Sequence, residues 1–179
     1  ASFLFELDKD IDVYLTREPT RDFKEIRKAM AAGKDVRDSP EWYAEMFVKD
    51  RRNHIDNYIE PALARGTHVL CDRYKHSTLA YQHTQGLSLE RLQAMHQGML
   101  VPDLTLIFDC DVETAFKRRH TEGATDVFEK NAEFQESLRS NYVKLKDALP
   151  ADERVVIVRS DRPVEEIADE VQRLIQSIL

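Results

Sequence analysis

Clusters of charge stand directly after short apolar runs in this chain: Arg17-Glu18-Pro19-Thr20 after IDVYLT, Asp72-Arg73-Tyr74 closing HVLCD, and Asp109 closing LTLIFD. Guanidinium forks match the oxygens of a phosphate, and carboxylates suit magnesium and its waters. Each arginine alone reads as a surface charge; together, at the ends of neighbouring strands, they predict a phosphate and magnesium site. Ser77 and Tyr81 follow at a spacing that puts them on one helical face, with Thr78 beside them. Their hydroxyls can reach the sugar and phosphate of a small ligand, although Tyr81 fits a core position equally well. Phe47 and Arg51 form a second pair one helical turn apart. An aromatic face stacks on a base for on the order of 1–3 kcal/mol, and an arginine one turn on can donate to a base carbonyl. Without context, Phe47 reads as core and Arg51 as a solvated charge; Trp42 is core or interface.

The elements that must position these residues follow from the apolar patterning. Ile11–Thr16, His68–Asp72, Leu104–Asp109 and Arg154–Val158 are short and rich in β-branched residues. Their near-continuous apolar character predicts strands covered on both faces. Helical stripes lie between them: Trp42, Met46, Phe47, Ile55, Tyr58 and Ile59 before Pro61, then Leu138, Tyr142, Leu145 and Leu149. A last helix carries Ile167, Val171, Leu174, Ile175 and Ile178 on one face, with Ser160 or Asp161 as N-cap and Pro163 in its first turn. Alternating strands and helices predict an α/β fold with a mostly parallel sheet, helices on both faces and a single domain spanning 1–179. In such sheets, ligands bind beyond the carboxyl ends of the strands, where the charged clusters stand.

Composition narrows the partners. The chain has 179 residues, 42% apolar and 33% charged, with a formal net charge of −7. That balance argues against broad nucleic-acid binding, which needs a basic surface, but leaves room for a nucleotide held by a few arginines in a cleft. No apolar run is long enough to span a bilayer, and none has the pattern of a signal peptide. Cys71 and Cys110 sit in or beside apolar stretches and read as buried thiols of a reduced, cytoplasmic protein, and the six histidines show no metal-ligand spacing. No zinc is expected.

Arg17-Glu18-Pro19, Phe47-Val48-Lys49-Asp50-Arg51, Pro61-Ala62-Leu63-Ala64-Arg65-Gly66, Asp72-Arg73-Tyr74 with Ser77-Thr78-Leu79-Ala80-Tyr81-Gln82, Pro102-Asp103-Leu104-Thr105-Leu106 and Asp126-Val127-Phe128-Glu129 occur in this order. In order and spacing they resemble the thymidylate kinase family over almost the whole chain, most specifically in the helix after Asp72-Arg73-Tyr74. The resemblance implies a P-loop-kinase-like three-layer fold and transfer of the γ-phosphate of ATP to dTMP, giving dTDP, with Mg²⁺. It implies that Phe47 stacks on thymine and Arg51 bonds its carbonyl oxygen. Arg73 would bind the acceptor phosphate and Asp72 would lie near the metal. Ser77, Thr78 and Tyr81 would line the acceptor pocket, bordered by Arg17 and Pro19. Arg118, with Arg119, would open a lid at about 118–128, while the stretch from Arg159 through Asp161 to Pro163 would lie near adenine. A homodimer through the Trp42–Ile59 region is implied as well.

The chain also departs from the family pattern. Its five glycines open no G-x-x-x-x-G-K-[ST] turn, whose amides would cradle the donor phosphates. The resemblance places that loop, with the central strand of the sheet, immediately before a helix that Ala1–Asp8 would finish through Phe3, Leu4 and Leu7. The expectation is therefore that strand and loop precede Ala1, and that these 179 residues alone do not bind ATP in the family's way. Loop residues between Thr20 and Arg27 are few. Val127 stands where many relatives carry a lid arginine, which leaves Arg118 and Arg119 as the lid's own. Two other readings stay open: a kinase for another deoxynucleotide, and an inactive nucleotide-binding or interaction protein.

Overall fold

The computed structural model describes residues 11–21, 23–32, 39–122 and 132–179. The helix expected over Ala1–Asp8 and the lid motif Asp126-Val127-Phe128 lie outside the described residues. The chain divides into two compact units, Ala1–Leu100 and Val101–Leu179.

In the first unit, strand β1 (Val13–Arg17) pairs in parallel with β2 (His68–Asp72), in a register that sets Thr16 beside Cys71 and Arg17 beside Asp72. Between them run α1 (Lys24–Ala31), α2 (Pro40–His54), a π-helical turn (Ile55–Ile59) and α3 (Glu60–Leu63). Helices α4 (Lys75–Thr84) and α5 (Leu89–Met95) follow β2. Ile55, Ile59, Tyr74 and Met99 form a core cluster against which Val48, Val69, Cys71 and Leu100 pack. The helix expected to stop before Pro61 instead changes pitch at Ile55 and restarts at Glu60, with Pro61 in the first turn of α3. The backbone stays helical at Ile59 and Glu60, and the Glu60 amide reaches back five residues to the Ile55 carbonyl, so the π turn carries the helix into the proline.

The second unit pairs β3 (Thr105–Asp109) in parallel with β4 (Val155–Arg159), with α6 (Val112–Glu122), α7 (Ala132–Ala148) and α8 (Val164–Gln176) around them. The N-cap of α8 is Pro163, with the helix starting at Val164, so neither Ser160 nor Asp161 caps it. Ser160 is drawn back to the strand instead: its amide and its hydroxyl both donate to the Asp109 carbonyl.

All four expected strands form, each displaced from its expected bounds by no more than two residues, and both pairings are parallel. β1 and β4 are buried or half-buried on both faces up to their terminal arginines, whereas β2 and Phe108 of β3 depart from that expectation. Val69 and Cys71 of β2 turn inward, while His68, Leu70 and Asp72 are exposed, as is Phe108 of β3. No helix among the described residues is long and apolar enough to cross a membrane. Cys71 and Cys110 are free thiols.

Candidate active site

The sharp corner between β2 and α4 carries the most chemistry. Arg73, the first residue beyond β2, has φ +67°, the only non-glycine left-handed residue among those described. That conformation brings its Cβ close to the following carbonyl and is disfavoured for any L side chain. Its guanidinium carbon lies 5.9 Å from the centre of the Tyr81 ring, one face of α4 away. Beside it, Arg17 at the end of β1 reaches the Asp72 carboxylate at 3.4 Å, both side chains being about two-thirds exposed. The parallel register causes that meeting, because it makes Arg17 and Asp72 direct neighbours. Helix α4 starts at Lys75 with no acidic residue in its first turn, so the positive end of its dipole lies beside Arg73.

The segment after β1 is clamped to α2. The Glu18–Pro19 peptide is cis, and Thr20 donates through both its amide and its hydroxyl to Asp50. One residue further along α2, Arg51 donates from Nε and from Nη2 to the same Glu18 oxygen, each at 2.7 Å. The other Glu18 oxygen lies 3.1 Å from His54 Nδ1, and His54 Nε2 lies 2.7 Å from the Thr16 hydroxyl. Arg51 is 2% exposed and Glu18 4%, which puts this pair where removing either partner strands a charge. Arg51 Nη1 donates to His96 Nε2 at 2.6 Å, and Nη1 and Nη2 share the Thr78 hydroxyl at 3.4 and 3.3 Å. The Tyr74 ring covers the guanidinium, with Cζ 5.1 Å from its centre.

Arg17, Asp72, Arg73, Ser77, Thr78, Tyr81 and Arg51 thus fall on the carboxyl ends of β1 and β2, on α4 and on the facing turn of α2. Phe47 is half-buried one turn before Arg51, with its ring 6.0 Å from Tyr43. Pro19 is half-buried between Glu18 and Thr20, while Ser77 and Tyr81 are half-buried on α4. Arg118, Arg159 and Asp161 belong to the second unit. There Arg159 bonds Asp161 bidentately, and Arg118 donates to the Ser160 carbonyl at 2.7 Å. Asp109, expected among the rim carboxylates, is buried and taken up within its own unit: Arg139 grips both of its oxygens at 2.6 and 3.1 Å, and Arg159 adds a third bond at 3.3 Å. Hydrogen bonding to Asp109 raises the pKa of Arg139 above the usual guanidinium range.

Glu18, His54 and Cys71 present ligand-type atoms within 4.8 Å of one another, but their chemistry does not suit a cation. Both Glu18 oxygens already accept from Arg51 and His54, and the guanidinium charge sits alongside. Burial pushes the Cys71 thiol up to about 12, and it donates to the Arg73 carbonyl.

Sequence reasoning singled out Arg51 but missed Glu18, Asp50, His54 and His96 as its company. A signal existed: Tyr43, Ala44, Phe47, Asp50, Arg51 and His54 recur at helical spacing on one face of α2. Ionisable residues that share a stripe with Tyr43 and Ala44 are directed inward with them.

The thymidylate kinase family model matches residues 6–171 of the chain. A thymidylate kinase from Pseudomonas fluorescens (strain Pf0-1) is 40% identical over 176 residues, covering 94% of this chain and 83% of that protein. A probable thymidylate kinase from Pyrococcus abyssi (strain GE5 / Orsay) is 35% identical over 170 residues, covering 92% and 82% respectively. A thymidylate kinase from Pseudomonas putida (strain W619) is 36% identical over 179 residues, covering 96% and 86%. With motifs in order, parallel strands and a family match over most of its length, the chain belongs to the thymidylate kinase family.

Proposed function

We propose that this protein phosphorylates dTMP, taking the γ-phosphate from ATP and releasing dTDP and ADP. The observation that carries this reading is the β2–α4 corner, where Arg73 stands in a strained conformation between Asp72 and the Tyr81 ring, in a chain of this family. Phosphoryl transfer between two nucleotides brings polyanions together, so positioning and charge neutralisation supply most of the acceleration. Arg73 holds the acceptor phosphate, helped by Arg17 and the positive end of the α4 dipole. Phe47 stacks on the base, Arg51 and Thr78 address its carbonyl edge, and Ser77, Tyr81 and Pro19 border the sugar and base.

Asp72 suits a magnesium ion: its carboxylate is 65% exposed with one long ion pair, and Mg²⁺ takes few carboxylates while keeping waters. Bound there, Mg²⁺ supplies neutralisation of phosphate charge. On the donor side, Arg118 belongs to a lid at about 118–128, and Arg159 and Asp161 border the adenine. The chain works as one nucleoside-monophosphate-kinase domain, in a homodimer, in the cytoplasm.

A coupled assay for ADP release on the full-length protein tests the reading. Turnover with ATP, Mg²⁺ and dTMP is expected. Turnover with another monophosphate but none with dTMP overturns the substrate assignment, because a single methyl supplies only about 1–3 kcal/mol of preference. No turnover with any monophosphate favours an inactive nucleotide-binding protein.

A further inference from the structure

Resting on the proposed acceptor site, we infer that His96 is a positioning residue for dTMP recognition, acting through Arg51. Glu18 receives Nε and Nη2 of Arg51 on a single oxygen, and one oxygen is a pivot: the guanidinium can swing in its own plane about that point. His96 supplies the second point. Its Nε2 takes Nη1 at 2.6 Å from the far end of the guanidinium and stops the swing. Tyr74, with its ring over Cζ, limits tilt out of the plane.

These anchors leave one pair of donors loosely held. The Nη1 and Nη2 hydrogens of the terminal fork share one hydroxyl, Thr78 Oγ1, at 3.4 and 3.3 Å, which is long for N–H···O. The fork is therefore the part of Arg51 that a ligand carbonyl can recruit, in place of Thr78 or beside it. Its direction is set by the two short contacts behind it.

The tautomer of His96 follows from its partners. Arg51 has only donors, so Nε2 must accept, and the ring proton must sit on Nδ1, which donates to the Leu92 carbonyl at 2.7 Å. A protonated ring would turn a donor toward Arg51. Burial first, and the Arg51 charge next, push the His96 pKa down to about 4, in keeping with a neutral ring. Leu92 is wholly buried in α5, so the accepting carbonyl is itself fixed.

Steady-state kinetics of the full-length protein with His96→Leu and His96→Gln test the role. His96→Leu removes the acceptor at similar size; His96→Gln keeps an oxygen acceptor. For His96→Leu, the KM for dTMP is expected to rise about tenfold, the loss of one charge-assisted hydrogen bond, with kcat and the KM for ATP within twofold. The preference for dTMP over 5-methyl-dCMP, in which an amino group replaces the recruited carbonyl, is expected to narrow by a similar factor. His96→Gln should restore most of both. A His96→Leu enzyme with unchanged KM and unchanged preference overturns the inference, whereas a wild-type enzyme that ignores dTMP overturns the acceptor-site reading instead. Should His96→Leu fail to fold, ¹⁵N-histidine NMR of the wild-type protein decides: the Nδ1–H tautomer of His96 supports the role, and the Nε2–H tautomer overturns it.

Discussion

Replacing Arg73 by alanine and by glycine separates the strain at this residue from its chemistry. Both substitutions remove the guanidinium and its contact with Tyr81 at 5.9 Å, so that loss cancels between them. What differs is the backbone. At φ +67°, alanine keeps the left-handed penalty of about 1–2 kcal/mol, while glycine escapes it. Glycine in turn loses more freedom on folding, about 0.5–1 kcal/mol. The net expectation is that Arg73→Gly is more stable than Arg73→Ala by about 0.5–1 kcal/mol, or roughly 2 °C in Tm for a chain of this size. Urea unfolding followed by fluorescence of Trp42, the single tryptophan and a residue of the same unit, measures the difference. Turnover behaves in another way: on the proposed reading both variants should lose at least about tenfold, since each would lack a charge-assisted bond to the acceptor phosphate. If Arg73→Ala proves as stable as Arg73→Gly, the left-handed conformation carries no strain, and the argument that function holds it there fails.

Three further perturbations read other parts of the molecule. Glu18→Gln keeps the shape but leaves Arg51 uncompensated in the core; urea unfolding should show a loss of about 3–5 kcal/mol, partly recovered in Glu18→Gln/Arg51→Met. A loss below about 1 kcal/mol would mean that water reaches the pair. Asp109→Asn, which weakens the pairing of a buried carboxylate with the partly exposed Arg139 and Arg159, should lower thermal stability followed by circular dichroism by less than the Glu18 change; an unchanged Tm would mean that the carboxylate contributes nothing to holding the second unit together. Acid should destabilise the protein through its buried neutral histidines. His96 and His76 are pushed down to about 4 and about 3, chiefly by burial. The unfolded chain therefore binds protons near pH 6.5 while the folded chain does not, and stability falls as pH drops. Each histidine should lose about 2 kcal/mol between pH 6.5 and 5; His96→Gln should remove its share of that slope, and an unaltered slope would place the proton elsewhere.

What was legible in the sequence divides along physical lines. Runs such as HVLCD and TLIFD declare themselves because β-branched and apolar residues together admit few alternatives. The parallel register then brought Arg17 to Asp72 without further information. The change of helical pitch at Ile55 was not legible, since no residue type requires a π turn, and Pro61 suggested a stop where the structure restarts a helix. Without context Arg51 reads as a solvated charge, and even its pairing with Phe47 does not make it a buried one, because the sequence does not display the partners that make its burial tolerable: Glu18 lies 33 positions away and His96 45. The exposed faces of β2 and β3 were hidden for a related reason, as an apolar run records what a strand is made of and not what covers it.

Tyr74 links the two costly features of the first unit. It follows the left-handed Arg73 directly and is the N-cap residue of α4. Its ring lies against the Arg51 guanidinium, and its hydroxyl donates to the Leu100 carbonyl at 2.9 Å. Burial raises the pKa of that hydroxyl, so it stays a donor. A residue held at both ends of its side chain leaves little room for the backbone before it to relax. Sparsely populated conformations persist when their surroundings over-determine them, and here the surroundings are the same ring that steadies Arg51. On the proposed reading, the arginine that meets the acceptor phosphate and the arginine that meets its base are held through a single tyrosine. The distance between phosphate and base contacts is then a property of the folded core, set before any nucleotide arrives.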